Sequence, residues 1–193
     1  VRLVEVGLPD RFSGAGVRDT EAWEIADAIT DRTAAIAYVA NARSRPPLSD
    51  VVEVAHARGV PVIVDAAGQL PPASNLTTFV AAGADLVCFS GGKAIGGPQG
   101  TGIACGRRDL IGAMALQHLD LDVHWELWDP PGGLVDKDEV PGAPHHGIGR
   151  PCKVGKEQIV GLMVALKRFV EEGDGVRRAE WEACLLYTSD AAD

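Results

Sequence analysis

Short apolar runs alternate with segments of helical spacing along the first two thirds of the chain. Residues 34–39 form one such run. After Pro46-Pro47, residues 48–58 set Val51, Val52, Val54 and Ala55 at helical intervals. Ser49 or Asp50 is placed to cap the start of that helix, and Gly59 to end it. Residues 60–64 are a β-branched run that predicts a buried strand. A short helix over 76–82 stops at Gly83, and a second apolar strand follows over 85–89. Residues 102–105 predict one more strand and 108–119 a further helix. Strands separated by helices of this length predict a parallel, doubly wound α/β sheet. After Asp120 the pattern breaks into coil rich in Trp, Pro and Gly, as far as Gly149. Residues 156–171 then predict an amphipathic helix with Ile159, Leu162, Met163, Leu166 and Phe169 on one face.

Composition narrows the class without naming a function. The chain has 193 residues, 46% of them hydrophobic and 23% charged, which excludes a disordered tail or a fibrous rod. The net charge of −9 argues against nonspecific binding to nucleic acid or to an anionic membrane. No apolar run is long enough to span a bilayer and no signal peptide is visible. The four cysteines, Cys88, Cys105, Cys152 and Cys184, are far apart with no CxxC, and read as reduced thiols of a cytoplasmic protein. Val1 leads straight into an apolar stretch without a Met, which reads as a chain entered partway through a fold. Residues 184–193 match what one reading frame of a transposase-type sequencing adaptor encodes, and are set apart from fold reasoning.

Ligand sites of open α/β sheets form beyond the carboxyl ends of the strands. Three predicted strand ends carry polar residues: Asn41 after the first, Asp65 after the second, Ser90 and Lys93 after the third. Alone, an Asp there is a turn residue and a Lys in a glycine loop is a solvated charge. The order is more informative: an Asn, an Asp and a Ser-x-x-Lys, each one strand–helix unit further on. The glycine loop is not a Walker A motif, because Ala94 follows Lys93. Nor is it GxGxxG, since no helix with an acidic residue about 20 positions on follows it.

That order resembles the fold-type I pyridoxal-phosphate enzymes. It resembles more closely the family of selenocysteine synthase (L-seryl-tRNA(Sec) selenium transferase) and D-glucosaminate-6-phosphate ammonia-lyase. The segments that carry it are VIVDAAGQLPP at 62–72, GADLVCFSGGKAIGGPQGTG at 83–102 and GIGRPCKVGKEQIVG at 147–161. The resemblance implies an aspartate aminotransferase-like large domain, incomplete, with a mostly parallel sheet and helices on both faces. It divides the chain into the C-terminal portion of that domain (1–120), an interdomain coil (121–150), the start of a small domain (151–183) and the adaptor-like tail.

The implied cofactor is pyridoxal 5′-phosphate, held as an internal aldimine by Lys93, whose freed amine would then move protons at the substrate carbon. Asp65 matches the carboxylate that keeps the ring nitrogen protonated, the condition for an electron sink. Ala67 matches the small residue packed against the ring face, and Ser90 a phosphate contact, with backbone N–H groups of the glycine loop as further donors. Asn41 or Gln69 would bond the ring hydroxyl. Arg150 resembles the arginine that receives a substrate carboxylate, for which a bidentate fork is suited. An interdomain salt bridge is the competing role for Arg150. Of His145 and His146, which cannot face the same way as a metal pair, His146 is the candidate to reach the substrate. No metal site is implied. Lys153 and Lys156 either contact a substrate phosphate or flank a helix start, and Trp125, Trp128, Pro130 and Pro131 suit a dimer or domain junction.

The expected activity is α-proton abstraction with β-elimination or replacement on an amino acid or amino-sugar acid, by a homo-oligomer with a small-molecule substrate. The alternative from the same family is a selenium transferase on seryl-tRNA, against which the acidic charge and the lack of a basic stripe weigh. The alternative from another class is a noncatalytic α/β fragment whose Lys93 binds a phosphate.

Overall fold

Two glycines shape the first half of the fold. The helix over 48–58 has to turn back into the sheet, and Gly59 does this at φ +68°, where other residues are strained. The N–H groups of Gly59 and Val60 bond back to the carbonyls of His56 and Ala55 and close the helix end. Gly83, at φ +99°, repeats the device with Val80 and Phe79. The structure is a computed structural model that describes residues 2–7, 20–120, 123–142 and 145–190, with side chains as far as residue 185.

The element order is α1 (Ala22–Ala28), β1 (Ile36–Val39), α2 (Leu48–His56), β2 (Val62–Asp65), α3 (Asn75–Ala81), β3 (Leu86–Ser90), β4 (Gly102–Gly106), α4 (Arg108–Gln117) and α5 (Lys156–Asp190). Short 3-10 turns lie at Trp125–Leu127, Lys137–Glu139 and Arg150–Cys152. The four strands form one sheet in the order β1-β2-β3-β4. β1, β2 and β3 are parallel, as the strand–helix alternation predicts. β4 runs antiparallel to β3, so the sheet is mostly parallel, as the family resemblance implies. The reason is local: residues 91–101 contain no crossover helix to carry the chain back to the other end of the sheet, so the next strand returns directly.

The core lies on one face of this sheet. Val62, Val64, Val87 and Phe89 alternate inward and meet Val51 and Ala55 of α2, Ile25 of α1, and Leu76 and Phe79 of α3. Val51, Val62, Val64 and Val87 are fully buried. Phe79 and Phe89 pack with ring centroids 6.4 Å apart at 46°. On the other face Ala37, Val39, Asp65 and Ala104 are exposed.

Two sequence expectations change in detail, and one helix was not foreseen. α2 begins at Leu48 with Pro47 as its N-cap, so Ser49 and Asp50 lie inside the helix and do not cap it. The Pro47 carbonyl instead accepts the N–H groups of Asp50 and Val51. α1, whose first turn is tied by the Glu24 side chain on the Glu21 N–H at 2.9 Å, carries too little apolar periodicity to stand out in the sequence. α5 continues past Glu171 across a break at Gly173 (φ 73°, ψ 168°). Only part of its predicted apolar face is covered: Phe169 is 2% exposed, whereas Met163 is 65% exposed.

The amino ends of the strands are tied by Asp85, which is 4% exposed. Its carboxylate accepts from the Val62 N–H at 2.7 Å, His56 Nε2 at 2.8 Å and Arg107 Nη1 at 3.0 Å. Burial pushes this carboxyl up, but the bonds from His56, Val62 and Arg107 together outweigh it and hold it below its ordinary range.

Candidate active site

At the carboxyl ends of the parallel strands, Val39, Asp65 and Cys88 stand in register across β1, β2 and β3. Neighbouring strands lie about 4.8 Å apart, so the residues just beyond them share one rim. Asp65 ends β2 with its side chain exposed. Its Oδ1 accepts the Ala67 N–H at 2.9 Å, which fixes the carboxylate over the start of the next loop. Ala67 is half-buried beside it. The Gln69 N–H bonds the Ala66 carbonyl at 3.0 Å, and Asn75 Nδ2 bonds the Gln69 carbonyl at 2.6 Å. Asn41 closes a turn: its Oδ1 accepts the Arg43 N–H at 2.8 Å, and its own N–H donates to Ser44 Oγ at 3.0 Å.

Ser90 ends β3, half-buried, and the glycine loop begins at the next residue. The loop is pinned from within. The Gly91 N–H bonds the Thr101 carbonyl at 2.9 Å, and the Gly97 N–H bonds the Gly91 carbonyl at 2.8 Å. Gln99 Nε2 donates to the Gly92 carbonyl at 3.2 Å and Thr101 Oγ1 to the Pro98 carbonyl at 2.6 Å. Lys93 stands at the exposed turn, its carbonyl accepting the Gly96 N–H at 2.9 Å. The glycines are required by close approach: a Cβ on Gly91 would fall 2.2 Å from Thr101 Oγ1, and one on Gly92 2.7 Å from Gln99 Cα.

Asp65, Ala67, Gln69, Asn41, Ser90 and Lys93 are thus brought to one rim of the sheet. Arg150 and His146 are placed on a different support, at the end of α4. Asp120 accepts Arg150 Nε at 2.5 Å and the His146 N–H at 3.2 Å. The His146 N–H, joined by the Arg150 charge, holds the Asp120 carboxyl below its ordinary range against a smaller desolvation push. The Gly147 and Gly149 N–H groups bond the Leu119 and Gln117 carbonyls at 3.0 and 2.8 Å, seating this segment on α4. Asp120, which no motif singles out, is the residue that orients Arg150.

Cys88 is a second residue that the motifs do not mark. It is half-buried next to Asp65 in the sheet, and burial, then the Asp65 charge, push its thiol up. Thr101, Gln99 and Asn75 escape the sequence reading too. Glycines in 91–102 announce that something approaches closely, but not which side chain does so.

Comparison with known proteins decides the family. The aminotransferase class-V family model matches residues 14–121, more than half of the chain. The chain belongs to the class-V aminotransferases. Members of this family are enzymes that use pyridoxal 5′-phosphate, the cofactor the motifs imply. A 5′-C-glycyluridine monooxygenase-decarboxylase of Streptomyces is 36% identical over 184 residues, covering 93% of this chain and 36% of the relative. The D-glucosaminate-6-phosphate ammonia lyase of Salmonella typhimurium is 33% identical over 172 residues, covering 87% of this chain and 36% of that enzyme. The chain therefore spans about a third of the length of these relatives. In fold it resembles the crystal structure of a cysteine desulfurase from Escherichia coli, with a TM-score of 0.50 and 22% identity over 90% of this chain and 41% of that one. Among the described residues, no helix is long and apolar enough to cross a membrane.

The residues on the rim suit the family's cofactor. A primary amine, a carboxylate and a half-buried hydroxyl stand on adjoining loops, which is the donor set an aldehyde, a pyridine nitrogen and a phosphate require.

Proposed function

We propose that this class-V aminotransferase chain holds pyridoxal 5′-phosphate at Lys93 and acts at the α-carbon of an amino acid or amino-sugar acid, in the manner of an ammonia lyase. The observation that carries the reading is the shared rim of β2 and β3, with the Asp65 carboxylate on one strand end and Ser90 and Lys93 on the next. When bound, the cofactor supplies an electron sink for the bond broken at that carbon. Lys93 would hold the cofactor through its aldehyde. The same amine would serve as the base that moves a proton at the substrate α-carbon. Asp65, its carboxylate fixed by the Ala67 N–H, would hold a proton on the ring nitrogen. Ser90, with loop N–H groups other than those of Gly91, Gly96 and Gly97, would donate to the phosphate. Asn41 or Gln69 would bond the ring hydroxyl, and Ala67 would pack against the ring face. Arg150 takes a substrate carboxylate in exchange for Asp120, with His146 alongside.

The similarity to the Streptomyces decarboxylase favours a second reading, in which the α-carboxylate leaves in place of the α-proton. The two are separated by whether ammonia or carbon dioxide is released. An seryl-tRNA substrate fits less well with a net charge of −9. A homo-oligomer acting in the cytoplasm on a small molecule completes the proposal.

The test is covalent. The chain is incubated with pyridoxal phosphate, reduced with borohydride and mapped by mass spectrometry. The expected result is a pyridoxyl group on Lys93 that disappears in Lys93→Ala. A folded chain that takes no label at Lys93 overturns the reading and leaves a noncatalytic phosphate-binding fragment.

A further inference from the structure

α5 touches both loops of the site, each by a different half. In its first half, Leu162 packs into the glycine loop: a Cβ on Gly91 would lie 2.8 Å from Leu162 Cδ1, and one on Gly97 3.1 Å from it. One turn of contact is completed by Gly161, whose missing Cβ would lie 3.1 Å from Pro98 Cγ. The helix then breaks at Gly173, where φ is 73°, and its second half takes a new direction.

That second half is anchored by an ion pair. Both carboxylate oxygens of Asp174 lie 3.1 Å from the Ala73 N–H. Arg177 Nη2 donates to Asp174 Oδ1 at 2.9 Å, Nη1 donates to the Phe169 carbonyl at 2.5 Å, and the guanidinium lies 3.7 Å over the Phe169 ring. Arg177 is 5% exposed, and its buried Nε has no hydrogen-bond partner among the described residues. An apolar residue would bury more cheaply at that place, because a buried charge with an unmet donor is costly. What the pair adds over apolar packing is direction: it fixes one backbone N–H at one point.

From Ala73 the path follows the chain to Asn75 and from there returns to the site partly through hydrogen bonds. Asn75 holds the Gln69 carbonyl at 2.6 Å, the Gln69 N–H holds the Ala66 carbonyl at 3.0 Å, and the Ala67 N–H holds Asp65 Oδ1 at 2.9 Å. We infer that α5 is a positioning brace, with Leu162 seating the loop of Lys93 and the Asp174–Arg177 pair seating the loop of Asp65 and Gln69, so that one helix sets the spacing between amine and carboxylate. Neither Asp174 nor Arg177 touches the reacting groups; both act through Ala73. The inference rests on the cofactor reading above, since the spacing matters only if both groups meet one ligand.

The experiment compares the wild-type chain with Asp174→Asn and Asp174→Glu, and with Arg178→Ala as a control on the exposed side of the same half-helix. Three readouts are taken: amide hydrogen exchange across residues 66–76 without cofactor, the Kd for pyridoxal phosphate, and the pH midpoint of the visible absorbance of the bound cofactor. Asp174→Asn is expected to speed exchange at Ala73 about tenfold, weaken the cofactor about tenfold and move the pH midpoint, because a charge-assisted bond is replaced by a neutral one. Asp174→Glu is expected to recover part of all three, and Arg178→Ala to change none. Faster exchange with unchanged Kd and midpoint overturns the inference, since the tie would then be structural only. Unchanged exchange overturns it as well. A wild-type chain that takes no borohydride-fixed label at Lys93 overturns the cofactor reading itself, a result distinct from both.

Discussion

Gly91→Ala tests whether close packing holds the Lys93 loop in place. The added methyl would stand 2.2 Å from Thr101 Oγ1, 2.8 Å from Leu162 Cδ1 and 3.0 Å from the Thr101 carbonyl oxygen. The first contact is relieved only if the hydroxyl swings away and gives up its 2.6 Å bond to the Pro98 carbonyl. A neutral bond of this kind contributes about 1 kcal/mol net. Inserting a methyl into a packed site adds about 1–3 kcal/mol. The expected loss is therefore about 2–4 kcal/mol, read as a lower urea midpoint at unchanged m-value. Leu162→Ala opens space on one side of the methyl, so Gly91→Ala should cost less in that background, by at least about 0.5 kcal/mol. Labelling of Lys93 should slow in Gly91→Ala and recover in part in the double variant. A Gly91→Ala chain within about 0.5 kcal/mol of wild type, or strictly additive costs, would refute the packing argument.

Other consequences follow from the same geometry. Asp85→Asn keeps the Val62 bond but loses the charge that His56 and Arg107 face, and should cost about 2–3 kcal/mol by equilibrium urea unfolding. Because the Asp85 carboxyl is held below its ordinary range in the folded state, its contribution is present above about pH 4 and is lost as the pH falls through the folded value. The acid limb of the stability curve should accordingly be shallower in Asp85→Asn, and an unchanged limb would show that Asp85 is not the titrating group. Cys88, half-buried with its thiol pushed up by burial and by Asp65, should react with iodoacetamide at pH 8 at least about tenfold more slowly than exposed Cys152. Equal rates, followed by peptide mapping, would place Cys88 in an open environment.

The strand–helix alternation was legible because β2 and β3 are short apolar runs, each entered from a helix that ends at a glycine. Gly59 and Gly83 were legible as helix ends since few other residues adopt their positive φ. The direction of β4 was not legible from its own residues, because an apolar run reads the same in either direction. What sets it is the missing helix in 91–101. The sequence ends its last predicted helix at residue 171, yet α5 resumes beyond Gly173, with Asp174 bonded to Arg177 and, across 101 positions of chain, to Ala73. No local pattern announces a bond of that span. The exposed Met163 shows a related limit: helical spacing marks apolar positions, but not which of them finds a neighbour.

The two ends of the sheet explain why the candidate residues were legible in the sequence and their supports were not. At the amino end Asp85 has three donors and is buried, so its polarity is spent on holding β2, β3 and the start of α4 together. At the carboxyl end Asp65 has one backbone donor, stays exposed and stands in register with the strand that leads to Ser90 and Lys93. Both aspartates adjoin apolar strands, and periodicity treats them alike. The difference is which end of a parallel strand each occupies, and that follows once the order of strands and helices is known. The same reasoning places Arg150 between its two candidate roles: its guanidinium is paired with Asp120 at 2.5 Å, yet it remains 57% exposed. An anion that displaces Asp120 gains a fork already held at the end of α4. Asp120→Asn should therefore strengthen binding of a carboxylate substrate at Arg150, whereas a purely structural salt bridge would leave substrate KM unchanged and lower only stability.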